Sequence, residues 1–122
     1  MAKILVIEDS GYQRSIIRQI LVTDGHKVLE ASDGIEGLAT AIREKPALIL
    51  TDIVMPNMQG MEFLQRMKDE NVGIPVVVVT ADIQETTVKM CQNLGAVGVI
   101  NKPLKGGAVD TLRNLIKVYT EG

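Results

Sequence analysis

The sequence predicts an α/β fold in which helices cover both faces of a parallel β-sheet. Along the 122 residues, five short apolar runs alternate strictly with five stretches of helical periodicity. Apart from residues 27–30, which begin with Lys and end with Glu, the runs are almost continuously apolar, which is typical of parallel strands that are buried on both faces. Residues 1–122 are therefore expected to form one domain, which at this length buries roughly two-thirds of the surface of the unfolded chain.

The predicted strands are short, and most of them are followed by polar residues. In chain order they are residues 4–7, 27–30, 48–50, 76–79 and 97–100. Residues 76–79 are four valines, and β-branched side chains favour strands. Asp24-Gly25 marks a turn before the second strand, and Gly73 with Pro75 marks another before the fourth.

Five helices are predicted between and after these strands. They span residues 12–22, the stretch opened by Asp33-Gly34 and ended by Pro46, and residues 60–70, 83–94 and 108–119. Each carries apolar residues at helical spacing, and this stripe is expected to pack on the sheet. The stripes are Ile16, Ile17, Ile20 and Leu21; Ile35, Leu38, Ala39 and Ile42; Met61, Leu64 and Met67; Ile83, Thr87, Met90, Cys91 and Leu94; and Val109, Leu112, Leu115, Ile116 and Tyr119.

Composition excludes several classes of function. A net charge of −2 and only 2% aromatic residues supply neither the basic surface nor the stacking rings of a nucleic-acid-binding protein. The single cysteine, Cys91, excludes an internal disulfide bond. The apolar run before Glu8 is too short for a signal peptide, and no run is long enough to span a membrane. A cytoplasmic domain is therefore expected.

Polar residues that could bind a ligand or take part in catalysis follow most of the predicted strands. Glu8 and Asp9 follow the first strand, Asp52 the third, Thr80 the fourth and Lys102 the fifth. Because parallel strands end at the same edge of a sheet, these side chains are expected to meet in one crevice. Any one of them alone could be a loop residue or a helix cap, as Asp9 with Ser10 illustrates, but the set together indicates a site.

The residue types in this crevice point to phosphoryl transfer. Three crowded carboxylates repel one another unless a cation is present. Oxygen ligands without histidine or cysteine favour Mg²⁺, with Mn²⁺ as an alternative. The Lys102 ammonium and the Thr80 hydroxyl suit phosphoryl oxygens, and an aspartate can act as the phosphate acceptor.

The motifs, taken in order, resemble the CheY-type receiver domain of two-component response regulators over essentially the whole chain. The matching residues are Glu8-Asp9, Asp52 with Pro56 and Gly60 four and eight positions later, Thr80-Ala81, and Lys102-Pro103. The resemblance implies a flavodoxin-like three-layer (βα)5 sandwich with strand order 2-1-3-4-5. It also implies a cis peptide bond between Lys102 and Pro103.

The resemblance assigns roles to the acidic residues. Asp52 is expected to be the nucleophile that accepts a phosphoryl group from a sensor histidine kinase or a histidine phosphotransfer protein. Asp9 and Asp52 would bind Mg²⁺ directly, together with the backbone carbonyl of Val54, while Glu8 would act through water.

The resemblance likewise implies how the switch works, with one departure. Lys102 would pair with the phosphoryl group, and Thr80 would move to donate a hydrogen bond to it. The family usually has Tyr or Phe three residues before this lysine, whereas the position here is Val99. We therefore expect the signal to pass mainly through Thr80 and residues 81–85. Weaker remodelling is expected on the face formed by the fourth helix, fifth strand and fifth helix.

Two positions near the acceptor are expected to tune the lifetime of the phosphoryl group. Val54, two residues after Asp52, should hinder an attacking water, whereas Asp82, two residues after Thr80, could orient one. These tendencies oppose each other, so the lifetime stays open.

The output and the wider context also stay open. A stand-alone receiver that binds an unknown output protein is favoured, because no residues follow the last helix to form an output domain; a fragment of a larger regulator is the alternative. Chemotaxis and phosphorelay signalling both fit, as do a monomer and a phosphorylation-dependent dimer.

Two other classes of function are weighed against this reading. A haloacid-dehalogenase-like phosphatase would carry its nucleophile in Asp-x-Asp after the first strand, where this chain has Glu8-Asp9-Ser10. A nucleotide or flavin binder needs a glycine-rich turn at that point, and an acidic pair there repels phosphate.

Overall fold

A parallel five-stranded sheet forms the centre of the computed structural model, which describes residues 1–55 and 57–121. The strands are β1 (Lys3–Ile7), β2 (Lys27–Ala31), β3 (Leu48–Thr51), β4 (Val76–Thr80) and β5 (Gly98–Asn101). Their order in the sheet is β2-β1-β3-β4-β5, and every neighbouring pair is parallel. The predicted fold class and strand order are confirmed.

Helices follow each strand in turn. They are α1 (Gly11–Thr23), α2 (Gly34–Glu44), α3 (Gly60–Asp69), α4 (Glu85–Asn93) and α5 (Gly107–Thr120). Two of them begin at side-chain caps that the sequence encodes: Ser10 accepts a hydrogen bond from the amide of Gln13, and Asp33 accepts one from Glu36. Among the described residues, no helix is long and apolar enough to cross a membrane.

The core lies on both faces of the sheet, as the continuously apolar strands predict. β3 and β4 are buried throughout, and β1 is buried after its first residue. One core cluster joins the sheet to α2, α3 and α4, and the other joins it to α1 and α5. The edge strands β2 and β5 are more exposed. The sheet is therefore the middle of three layers.

The predicted buried stripe of α2 is wrong at most of its positions. The exposed residues are Ile35, Ala39 and Ile42. Only Leu38 of the predicted stripe packs inward, beside two glycines, a threonine and an alanine. A Cβ atom on Gly37 would lie 2.4 Å from Cδ1 of Ile7. The helix thus approaches the sheet through its small residues, and its isoleucines turn outward.

The predicted stripe of α4 is also only partly buried. Ile83 and Met90 are 51% and 53% exposed, whereas Cys91 is fully buried. Ile83 precedes the first turn of α4, which begins at Glu85. Its most extensive contacts are with α3 and the edge strand β5, so there is little apolar surface to cover the rest of the helix. At the end of α5, Tyr119 is likewise 43% exposed instead of packing inward.

Candidate functional site

The predicted site residues meet at the carboxyl edge of the sheet. Glu8 follows β1, Asp52 follows β3, Thr80 ends β4 and Lys102 follows β5. Because β1, β3, β4 and β5 are successive neighbours, the four side chains leave the sheet side by side. Asp9, next to Glu8, is exposed to solvent.

The Lys102 ammonium joins two carboxylates at this edge. Its Nζ donates to Oε1 of Glu8 at 2.5 Å and to Oδ2 of Asp52 at 2.8 Å. The Glu8 side chain is 3% exposed, and the side chains of Asp52 and Lys102 are 14% and 15% exposed. The second carboxylate oxygen of Glu8 accepts a hydrogen bond from the amide of Ser10 at 3.2 Å. Glu8 is therefore held at both oxygens.

Burial and pairing act in opposite directions on the ionisation of this group. Burial raises the pKa of Glu8 above its ordinary value, although the hydrogen bond from Lys102 opposes the change. Burial lowers the pKa of Lys102, but the hydrogen bonds to Asp52 and Glu8 more than offset it, so the pKa of the ammonium is raised. The lysine therefore stays charged between the two acids.

The Asp52 carboxylate has a fixed orientation. While Oδ2 accepts from Lys102, Oδ1 accepts from the backbone amide of Ile53 at 2.6 Å. Its backbone is held as well, because the Asp52 amide donates to the carbonyl of Ile7 at 3.3 Å and the Thr51 hydroxyl donates to the Asp52 carbonyl at 3.0 Å. The carboxylate of Asp52, the predicted acceptor, is thus held in one orientation.

Gly60 explains one motif residue in the segment after Asp52. A Cβ atom at this position would lie 2.4 Å from the carbonyl oxygen of Asp52 and 2.6 Å from Cα of Ile53. The amide of Gly60 also donates to the carbonyl of Ile53 at 2.7 Å. Only glycine allows the start of α3 to approach the acceptor backbone so closely. Pro56, the other motif residue, lies outside the described residues.

A second contact fastens the same segment to the start of α2. The Asn57 amide donates to Oδ2 of Asp33 at 2.8 Å, while Oδ1 of Asp33 caps α2. These hydrogen bonds, first the one from the Glu36 amide and then the one from Asn57, lower the pKa of Asp33 below its ordinary value. Met55 and Met58, in the same segment, are buried in the core cluster under α2 and α3.

The predicted metal ligands fit a hard cation by donor type. Asp9 and Asp52 offer carboxylate oxygens, and the exposed residue Val54 would contribute its backbone carbonyl oxygen. Within the two described stretches, however, no three acidic, histidine or cysteine side chains already form a metal-holding group. The ammonium of Lys102 instead compensates the charges of Glu8 and Asp52. The ligand assignment stays a prediction.

Thr80 begins a short chain of hydrogen bonds that leads to α4. Its hydroxyl oxygen, in a side chain 2% exposed, accepts from the amide of Asp82 at 3.2 Å. The carboxylate of Asp82 accepts from the amide of Gln84 at 3.2 Å and from the hydroxyl of Thr87 at 3.1 Å. Both Asp82 oxygens therefore accept hydrogen bonds from the start of α4. Whether Asp82 orients a water molecule is not tested by these contacts, and that role stays a prediction.

Val99 lies where the sequence analysis notes a departure from the family pattern. It pairs with Val78 across β4 and β5 and is half-buried against the core cluster beneath α4. The peptide bond from Lys102 to Pro103 is cis, as the resemblance implies.

Three polar contacts near this edge are not predicted from the sequence. Asp33 is taken only as the start of a helix, and its contact with Asn57 joins segments 24 residues apart. Thr87 is assigned to an apolar stripe, although its hydroxyl has a polar partner. Arg14 donates from Nη1 to the carbonyl oxygen of Glu8 at 2.7 Å. The only signal for Arg14 is its place in the second turn of the helix that follows the acidic pair.

Comparisons with known proteins agree with this geometry. The family model described as the response regulator receiver domain matches residues 4–116. Protein PilH of Pseudomonas aeruginosa is 39% identical over 106 residues, which are 85% of this chain and 88% of PilH. Sporulation initiation phosphotransferase F of Bacillus subtilis is 30% identical over 117 residues, 96% and 92% of the two chains. The structure of chemotaxis protein CheY4 of Vibrio cholerae matches with a TM-score of 0.86 at 28% identity, over 98% of both chains.

Proposed function

The chain belongs to the response regulator receiver domain family, and on that premise we propose that it is a phosphoacceptor switch with Asp52 as the acceptor. Receiver domains are signalling switches of two-component systems, and they interact with histidine kinases and phosphotransfer proteins. The family assignment favours this function over the phosphatase and nucleotide-binding alternatives. We treat residues 1–122 as one such domain, because all five strands share one sheet.

The observation that carries the proposal is the position of Lys102. Its ammonium contacts the Asp52 oxygen Oδ2 at 2.8 Å in a site that excludes most solvent. A phosphoryl group transferred to Asp52 brings additional negative charge to this point. A fixed ammonium stabilises that charge more strongly than water does, because the surroundings are only weakly polar.

The proposed reaction is a displacement at phosphorus. A carboxylate oxygen of Asp52 forms a bond to the phosphorus atom, while the bond from phosphorus to the imidazole nitrogen of a phosphohistidine breaks and its electron pair stays on the imidazole. Lys102 balances charge on the phosphoryl oxygens. Receiver domains in general bind Mg²⁺ at this site, and Asp9, Asp52 and the Val54 carbonyl would hold an ion that neutralises the same oxygens. Hydrolysis by water returns the carboxylate and phosphate.

We assign the response to the hydrogen-bond chain from Thr80 to α4. If the Thr80 hydroxyl turns to the phosphoryl group, the amide of Asp82 loses its acceptor. Asp82 in turn holds the first turn of α4 through Gln84 and Thr87. Val99 has no aromatic ring that could change position. The hydrogen-bond chain from Thr80 is therefore the proposed route by which phosphorylation changes the exposed side of α4, where an output protein would bind.

Phosphorylation can be tested by intact mass. Incubation with acetyl phosphate and Mg²⁺ should add one phosphoryl group, and a chelator or the substitution Asp52→Asn should abolish the gain. Asp24→Asn is the matched control, because Asp24 is also paired with a cation, Arg113, but lies away from the site. An adduct that persists in Asp52→Asn would contradict the assignment. So would the absence of both an adduct and any spectral change with beryllofluoride, a phosphoryl mimic.

The route of the response can be tested by hydrogen exchange with and without beryllofluoride. The largest change is expected in residues 81–85, with smaller changes in the rest of α4, in β5 and in α5. Equally large changes in all three elements would show that the Thr80 chain is not the main route.

A further inference from the structure

Arg14 forms a bridge outside the acidic site. Its Nη1 donates to the backbone carbonyl oxygen of Glu8 at 2.7 Å, and its Nε donates to Oε1 of Glu30 at 3.0 Å. The side chain is 24% exposed, less than that of any other arginine in the salt bridges of the described residues. Arg14 thus links α1, the end of β2 and the backbone between the two acids.

This contact constrains the peptide group that joins Glu8 to Asp9. A peptide group is planar, so fixing the carbonyl of Glu8 also fixes the direction of the Asp9 amide and the position of its Cα. Asp9 is exposed to solvent, whereas Glu8 is held at both carboxylate oxygens. The contact from Arg14 is therefore one restraint on the backbone from which the Asp9 carboxylate projects, beside the hydrogen bond from the Glu8 amide to the carbonyl of Ala31.

We propose that Arg14 is a positioning residue for cation binding, which orients Asp9 through the Glu8 carbonyl without contacting the ion. The proposal rests on the function proposed above, in which Asp9 is a cation ligand. Glu30 keeps the guanidinium in place, and the planar fork of arginine reaches both acceptors at once. A lysine ammonium cannot span them in the same geometry.

Charge and positioning predict opposite results, which makes the proposal testable. Arg14 is a cation near a cation site, so removal of its charge alone would strengthen Mg²⁺ binding. Loss of positioning would weaken binding, by about tenfold if Arg14 is comparable to other residues that orient ligands. The variant Arg14→Gln separates the two effects by sign, and Arg14→Lys keeps the charge while removing the fork.

Arg18 supplies a matched control. It lies one helical turn after Arg14 and donates to the other oxygen of Glu30 at 3.3 Å, and within the described residues it donates no hydrogen bond to Glu8. Arg18→Gln therefore removes the same charge and a bond to the same glutamate. We expect this variant to bind Mg²⁺ within about twofold of the unchanged protein.

The experiment is calorimetric titration of the full unphosphorylated chain with Mg²⁺, with urea unfolding of each variant to establish that it is folded under the titration conditions. Both Arg14 variants should bind about tenfold more weakly. Unchanged or tighter binding by Arg14→Gln, or an equal loss in Arg18→Gln, would overturn the positioning role alone. Absence of Mg²⁺ binding by the unchanged protein would instead overturn the proposed cation site, and the positioning role with it.

Discussion

The segments that follow β3 and β4 are held in different ways. The acceptor loop, described at residues 52–55 and 57–59, is fixed by close backbone packing at Gly60, by buried methionines and by the Asn57–Asp33 contact. The switch loop, residues 81–84, is fixed by hydrogen bonds around Asp82. The helices that follow differ likewise, since four residues of α3 are buried and only one residue of α4.

Under the proposed function, this difference would separate the chemistry from the response. A phosphoryl acceptor would need a geometry that does not change between encounters with different partners, and dense packing would supply it. A responding element must instead be movable at small free-energy cost, and such elements come from the least stable part of a fold. The following predictions test whether the two loops differ as much as their packing implies.

The largest contrast is expected between the side chains of α3 and α4. Phe63 is fully buried, so Phe63→Ala should lower the free energy of unfolding by about 3–5 kcal/mol, because it leaves a cavity. Met90 on α4 is 53% exposed, and Met90→Ala should change it by less than about 0.5 kcal/mol. Urea unfolding followed by circular dichroism measures both. Similar losses in the two variants would remove the basis of the comparison.

The next effect concerns the backbone beneath the acceptor. Gly60→Ala should cost about 1–3 kcal/mol, since the new Cβ meets backbone atoms of Asp52 and Ile53 that cannot move aside. Gly107→Ala is the control at the start of α5, where nothing lies within 4 Å of an added Cβ. It should be neutral or stabilising by up to about 1 kcal/mol. Equal stabilities in urea would contradict the close approach.

A smaller and local effect is expected in the switch loop. Thr87→Val removes the hydroxyl that donates to Asp82 and should cost about 1 kcal/mol. Amide hydrogen exchange should accelerate in residues 82–90 and stay unchanged in α3. The control is Thr111→Val in α5, because the Thr111 hydroxyl bonds only the carbonyl of Gly107 within its own helix. Acceleration throughout the chain would mean that the switch loop is not an independent unit.

The smallest effect is a pH dependence at the edge of the acceptor loop. The pKa of Asp33 lies below its ordinary value of 3.8 in the folded chain, so its ionised form stabilises the fold above that pH and the contribution is lost as pH falls through the folded pKa. Asp33→Asn removes this dependence. Urea unfolding across this pH range compares the unchanged protein with Asp33→Asn. Their free energies of unfolding should differ by less than about 1 kcal/mol, because Asp33 is solvent-accessible. A difference that grows on acidification would contradict the assignment.

The sequence predicts the strands and the site better than it predicts helix faces. Glu8 and Asp52 follow buried strands, Thr80 ends another, and Lys102 follows the edge strand β5; parallel topology then brings these ends together. The face of α2 is missed because periodicity counts large apolar side chains, whereas this helix packs through Gly37 and other small residues. A glycine contributes nothing to an apolar stripe, even where its missing side chain decides the packing.

Contacts between polar residues that are far apart in the sequence are harder to predict than the strands or the helix faces. Arg14 and Glu30, or Asn57 and Asp33, are unremarkable as surface residues, and their pairing depends on how α1 and α2 are set against the sheet. The periodicity of a helix does not contain that information. The residue types in the site follow from the sequence, whereas the hydrogen bonds that orient them depend on how the helices pack in three dimensions.

The ion pair between Lys102 and Glu8 has a consequence for the order of events during synthesis. Its partners are 94 positions apart, so the pair joins the end of the first strand to the end of the last strand. On the ribosome, a nascent chain that has progressed only through β4 exposes Asp52 without the ammonium that compensates it. Completion of this edge of the sheet waits for β5, and closing so long a loop is slow relative to local helix formation. Under the proposed function, a kinase that meets an unfinished chain would find Asp52 without the counter-charge that the finished fold supplies.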